Sequence, residues 1–137
     1  MPAVDQCEPA VIRAFEKRGW VVTDQPFSIQ YDYFPRRTLY ADVRFQYEHQ
    51  IAIVIEVKCF ANPDTLWDEF YRALGQYSAY RAALRQKGIL EAVYMAIPLS
   101  TFETFFQRSL IQELLTEFQV KLVIIEMEFE EIVSWIL

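Results

Sequence analysis

The sequence predicts one α/β domain, a mixed sheet flanked by helices, and three observations predict it. Two runs of alternating polarity, residues 39–47 and 51–60, are separated only by Glu48-His49-Gln50, which is the signature of an antiparallel hairpin. Behind them, strand-like runs alternate with long helical stretches, a pattern that requires crossover connections. No linker rich in proline, glycine or serine divides the 137 residues, and 53% of them are apolar. That is enough to build one core.

The elements follow in order. Residues 4–18 read as a helix, with Cys7, Val11, Ala14 and Phe15 as an apolar stripe and Gly19 as its stop. Residues 20–23 and 27–31 are short β-prone runs around the turn Asp24-Gln25-Pro26, and residues 32–37, with Pro35, are expected to be a loop. The hairpin strands come next. Asp64, after Asn62-Pro63, is the expected N-cap of a helix over 65–86 that stops at Gly88. Residues 90–97 form a strand ended by Pro98. Ser100 and Glu103 are spaced as a capping box for a helix running to about residue 118. Residues 120–126 make a buried strand, and 132–137 a short last element. The order is helix, three strands, helix, strand, helix, strand.

Composition narrows the function. Thirteen basic against nineteen acidic residues give a net charge of −6, which argues against a general nucleic-acid coat, because affinity for phosphates comes from neutralising them. An acidic enzyme acting with metal ions remains compatible with that charge. No window approaches the roughly 18 apolar residues of a membrane helix, and the first residues lack the basic and apolar regions of a signal peptide. Two cysteines are too few for a disulfide framework, so a reducing cytoplasm is expected, with Cys59 a packed or inert thiol in preference to one of lowered pKa beside Lys58. His49 is the sole histidine and falls at the hairpin tip, which disfavours Ser-His-Asp and Cys-His catalysis and leaves zinc without a ligand set.

The hairpin carries the chemistry. Leu39, Ala41, Val43, Phe45 and Tyr47 form one row, and Ile51, Ile53, Ile55 and Val57 the row that must share its face. A three-residue loop pairs Tyr47 with Ile51 and therefore Asp42 with Glu56, with Lys58 two residues further along the same side. Two carboxylates at roughly 5 Å Cβ spacing repel each other. A divalent cation between them offsets that cost. The plainer alternative is an ordinary ion cluster on a solvated face. Against it, residues 51–55 are apolar on both faces, so Glu56 and Lys58 emerge where a buried strand ends.

An acid on one strand and Glu-x-Lys closing the next resembles the PD-(D/E)xK nuclease pattern, here Asp42, thirteen intervening residues, then Glu56-Val57-Lys58. Ala41 stands where that pattern has proline. Met1-Pro2-Ala3, residues 14–20, Leu39-Tyr40-Ala41-Asp42, residues 53–58, Ala73-Leu74-Gly75-Gln76-Tyr77, Tyr80-Arg81 and Val133-Ser134-Trp135-Ile136 together make the chain resemble the fdxN-element excision controlling factor family, XisH. The resemblance implies a restriction-endonuclease-like fold, a cyanobacterial source, and a role in programmed excision of a DNA element alongside a site-specific recombinase and the companion factor XisI. It implies that Asp42, Glu56 and the Val57 backbone carbonyl hold Mg2+ or Mn2+, and that Lys58 orients or activates the attacking water. Glu8 would add the acid some members place on the first helix; the alternative is an exposed glutamate favoured by the helix dipole. Gln76 and Tyr80 share a helix face and resemble a substrate-contacting Gln-x-x-x-Tyr feature, with core packing for Tyr80 and a solvated Gln76 as the alternative.

The expected function is thus DNA-excision control with a metal-dependent endonuclease site. The alternative is a non-catalytic module that binds a companion excision factor or the recombinase. DNA is the expected partner, the membrane is not, and a homo-oligomer is compatible with the sequence. Trp67, Phe70 and Tyr71 are core or an interaction patch, and Glu126, Glu128, Glu130 and Glu131 a solvated acidic edge or, less often, a stretch that mimics nucleic acid or attracts a basic partner.

Overall fold

A computed structural model describes residues 5–33 and 36–137. The elements are α1 (Glu8–Lys17), β1 (Trp20–Asp24), β2 (Phe27–Tyr33), β3 (Arg36–Ala41), β4 (Val43–Tyr47), β5 (Ile51–Val57), α2 (Leu66–Gln86), β6 (Ala92–Pro98), α3 (Leu99–Glu103), α4 (Ser109–Glu117), β7 (Leu122–Glu126) and β8 (Glu131–Ile136). Six strands form one mixed sheet in the order β1-β4-β5-β6-β7-β8, and β2 with β3 forms a separate two-stranded ribbon. The β5–β6 and β6–β7 pairs are parallel and the other pairs in the main sheet are antiparallel. Each parallel step needs a crossover: α2 bridges β5 to β6, and α3 with α4 bridges β6 to β7.

Two apolar layers cover the sheet. On one side α1 packs Val11, Ala14 and Phe15 on Val43, Phe45, Ile53, Ile55 and Val57. Phe15 stacks on Phe45 with ring centroids 4.4 Å apart, a contact worth about 1 kcal/mol beyond burial. On the other side α2 buries Phe70, Ala73, Leu74, Tyr77 and Leu84 against Val54, Val93, Met95 and Ile97. Tyr77 is fully enclosed, yet its hydroxyl donates to the Val93 carbonyl at 2.9 Å and accepts the Lys121 N–H at 3.0 Å. A buried phenol needs such partners.

The helix stops fall where expected. Gly19 and Gly88 take φ of +90° and +72°, the left-handed conformation that terminates helices at little steric cost. The hairpin tip bends through Glu48 and His49, both at positive φ, and the Gln50 N–H closes it on the Tyr47 carbonyl at 3.0 Å.

Several expected elements differ. The run 39–47 is not one strand: it bends at Asp42, with β3 pairing to β2 and β4 to β1 and β5. Strands that change sheets do so at such bends, and alternation survives the bend, which hides it from the sequence. The loop expected over 32–37 is mostly strand, since Asp32 pairs with Arg37 and Tyr33 with Arg36; its centre, with Pro35, lies outside the described residues. So do Met1-Pro2-Ala3 and the first residue of the helix expected from residue 4, while α1 itself begins at Glu8.

Asn62, not Asp64, supplies the cap before α2: its side chain accepts the Asp64 N–H at 3.0 Å over a 3-10 turn, Pro63–Thr65. No capping box forms at Ser100, because α3 already starts at Leu99 with Pro98 as its N-cap. The single helix expected to about 118 breaks at Thr104, where Phe105 and Phe106 turn into the core against Phe60 and Phe70. Among the described residues no helix is long and apolar enough to cross a membrane.

Candidate metal centre

Asp42 occupies the bend between the ribbon and the main sheet. Ala41 pairs with Phe27, and Val43 pairs with Ile55. The β4–β5 register observed is Tyr47 to Ile51 through Val43 to Ile55, so one further step sets Asp42 against Glu56, as the alternation predicted. One Asp42 carboxylate oxygen accepts the Val57 N–H at 2.7 Å, which fixes the acid at the carboxyl end of β5. The Lys58 N–H donates to the Ala96 carbonyl at 3.0 Å, continuing the parallel ladder, and its ammonium lies 3.4 Å from Glu56 Oε1. Open α/β sheets place ligands at the carboxyl ends of parallel strands.

Burial makes this cluster unusual. Among the described residues the buried charged side chains are Glu8, Asp42 and Glu56, at 3%, 8% and 3% exposure. Loss of water raises the Glu56 pKa to about 8, and Asp42 pushes it the same way against the opposing pull of Lys58 and Tyr80. Asp42 is raised to about 6, first by burial and then by Glu8, against the Val57 N–H and Lys58. Glu56 Oε2 is buried without a hydrogen-bond partner. A solvated ion cluster would leave its acids exposed, so the plainer alternative fails.

Glu8 is not the exposed helix-start glutamate that dipole arguments favour. It is buried in the first turn of α1, takes a hydrogen bond from Gln25 Nε2 at 3.0 Å, and has its own pKa raised by burial. Tyr80 takes the core-packing alternative: it is buried on α2 in the hydrophobic core, donates to the Tyr40 carbonyl at 2.9 Å, and has its phenol pKa driven upward first by burial and then by Glu56 beside it. Gln76, one turn earlier, is half-buried, and its Oε1 is enclosed without a partner.

The expectation of an inert Cys59 thiol is overturned. Cys59 is bonded to Cys7, 52 positions away, with Cα atoms 5.5 Å apart. A count of two cysteines says nothing about their proximity once α1 lies beside the end of β5. The sequence also gave no weight to Asp5, whose carboxylate accepts the Cys7 N–H at 2.9 Å and the Cys59 N–H at 3.3 Å. An Asp ahead of a helix start with Pro9 in its first turn is a capping signal that reading the helix from residue 4 obscured. Gln25 and Glu69 were likewise missed. Glu69, on α2, has its pKa raised by burial and Asp5, against the opposing pull of Lys58, Arg72 and the Phe60 N–H, so it feels the charges of the same cluster. His49 is exposed at the hairpin tip, and Glu130 and Glu126 are engaged by Arg13 and the Phe129 N–H.

Comparison with known proteins adds the ancestry. No curated protein matches the sequence. Two crystal structures do. An XisH family protein from Nostoc punctiforme PCC 73102 is 36% identical, superposes with a TM-score of 0.88, and is matched over 97% of this chain and 100% of its own. An fdxN element excision controlling factor protein from Anabaena variabilis is 35% identical with a TM-score of 0.86, over 95% and 97%. The sequence also matches the XisH protein family model over residues 1–133, and on that near-complete agreement the chain belongs to the XisH family.

Proposed function

We propose that Asp42, Glu56 and Lys58 form a divalent-cation-dependent phosphodiesterase site of the restriction-endonuclease-like, PD-(D/E)xK type, serving the control of DNA-element excision. The observation that carries this reading is a pair of buried, mutually repelling carboxylates, Asp42 at the bend before β4 and Glu56 near the end of β5, with an ammonium 3.4 Å from Glu56. The donor set fits Mg2+ or Mn2+. The ligands are hard oxygens, Glu56 Oε2 is enclosed with no partner, and such a site is destabilised while its acids repel each other unneutralised.

Asp42, Glu56 and the Val57 carbonyl would hold the ion, with Glu8 adding negative charge from α1. When bound, the ion would stabilise charge on the phosphoryl and leaving oxygens. Lys58 places a positive charge at Nζ where it orients an attacking water and meets the charge that develops on phosphate. Glu56 holds that ammonium in place, and the Asp42–Val57 hydrogen bond fixes the strand end that carries both. Tyr80 closes the α2 side against water. Gln76, with its unpartnered Oε1, is the substrate contact this reading keeps, with Tyr80 packed behind it in the core.

The Anabaena relative supplies the biological role, control of fdxN element excision. The partners that go with this reading are DNA, a site-specific recombinase and the companion factor XisI. The test compares wild type, Lys58→Ala and Asp42→Asn on supercoiled and branched DNA with Mg2+, Mn2+ or EDTA. Nicking that needs metal, disappears in both variants and leaves Mn2+ binding intact in Lys58→Ala is the expected result. Absence of both nicking and Mn2+ binding in wild type overturns it in favour of a non-catalytic binding module, the reading that the net charge of −6 favours.

A further inference from the structure

The cysteine pair joins the two elements that carry the site. Cys7 is the N-cap of α1 and directly precedes Glu8. Cys59 directly follows Lys58. Their bond therefore ties the helix bearing one acid to the strand end bearing the lysine, across 52 positions of chain. Asp5 reinforces the same junction through the N–H groups of both cysteines. Among the described residues there is no free cysteine, so nothing competes for the partner sulfur. Cys7 is buried, whereas Cys59 is half-buried with the exposed Gln6 amide 3.8 Å from its sulfur. A small thiol or disulfide reagent thus has a path to Cys59 first.

We propose that Cys7 and Cys59 form a reversible redox site, whose disulfide pins the first turn of α1 to the end of β5 and so sets how firmly Glu8 and Lys58 face Asp42 and Glu56. The oxidant is a small-molecule disulfide such as glutathione disulfide. The Cys59 sulfur attacks it, forming a mixed disulfide and releasing one glutathione thiol. The Cys7 sulfur then displaces the second glutathione. Two protein thiols lose two electrons and two protons, and one glutathione disulfide becomes two thiols. Two glutathione thiols, or one dithiol, run the sequence backwards.

In the oxidised chain Glu8 has little freedom to swing away from Asp42, and Lys58 is held from the residue beyond it. Reduction leaves only the Asp5 hydrogen bonds and side-chain packing to hold the junction. Cation capture by preorganised ligands is tighter than by ligands that must first be ordered. The consequence for cation binding rests on the metal reading above; the tether itself does not.

The test uses the full chain equilibrated in glutathione buffers of graded thiol-to-disulfide ratio. Alkylation of free thiols followed by intact mass should show one reversible transition between zero and two modified cysteines. Amide hydrogen exchange over residues 5–12 and 57–60 should be at least tenfold slower in the oxidised form. Mn2+ should bind at least tenfold more tightly to oxidised than to phosphine-reduced wild type, and Cys59→Ser should behave as the reduced protein with or without phosphine. Thiols that never pair in any buffer, or exchange rates equal in the two forms, overturn the proposal. Equal Mn2+ affinity in both forms overturns its link to the site. Redox-dependent exchange with no Mn2+ binding in either form upholds the tether and sinks the metal reading.

Discussion

Glu56→Gln tests the central physical claim, that the site stores electrostatic cost until a cation relieves it. Glu56 keeps its proton to about pH 8 in the folded protein, against an ordinary value of 4.5. Between those values the native state binds more protons than the unfolded chain, so stability falls as pH rises through that window. At about 1.4 kcal/mol per pH unit the interval amounts to roughly 5 kcal/mol. For a domain of this length that lowers the melting temperature by roughly 10–20 °C. Asp42, raised to about 6, adds a smaller loss that begins lower in the same range. Thermal melts in EDTA at pH 5 and pH 9 should show this fall in wild type and a much shallower one in Glu56→Gln. At pH 9 the variant should be the more stable protein, although it has lost the ion pair to Lys58. Mn2+ at pH 8 should restore wild type and leave the variant unchanged. A wild type whose melting temperature is flat from pH 5 to 9, or a variant that falls in parallel with it, would refute the reasoning.

Two further outcomes rest on other parts of the molecule. Tyr77→Phe removes the hydroxyl that joins the Val93 carbonyl to the Lys121 N–H, and should cost about 2 kcal/mol, seen as a lower denaturant midpoint with unchanged slope. Phosphine reduction of the Cys7–Cys59 bond, which closes a loop of 52 positions, should lower stability by about 4 kcal/mol on chain entropy. Cys59→Ser should then melt identically with and without the reductant.

What the sequence made legible was local or periodic. The β4–β5 register followed from keeping two apolar rows on one face, and it alone placed Asp42 against Glu56. Helix ends at Gly19 and Gly88 followed from backbone sterics. The switch of sheets at Asp42 was illegible, because a bend that preserves alternation leaves no trace in polarity. The break at Thr104 depended on where Phe60 and Phe70 lie, which no window around Ser100 contains. The same holds for Gln25 on Glu8 and Cys7 on Cys59: each contact joins segments that meet only once α1 has docked on the sheet.

The charge that counted against a nucleic-acid enzyme loses much of its force at the site. The formal −6 takes every carboxylate as ionised, yet burial holds the Glu56 proton to about pH 8. Near neutral pH the site therefore carries Lys58 and an ionised Asp42 beside a largely protonated Glu56. A cation that displaces the Glu56 proton would add two charges while exposing one, so the field met by an approaching phosphate becomes more positive as the site fills. Cation binding and phosphate affinity should accordingly rise together with pH, the opposite of what the net charge alone would dictate.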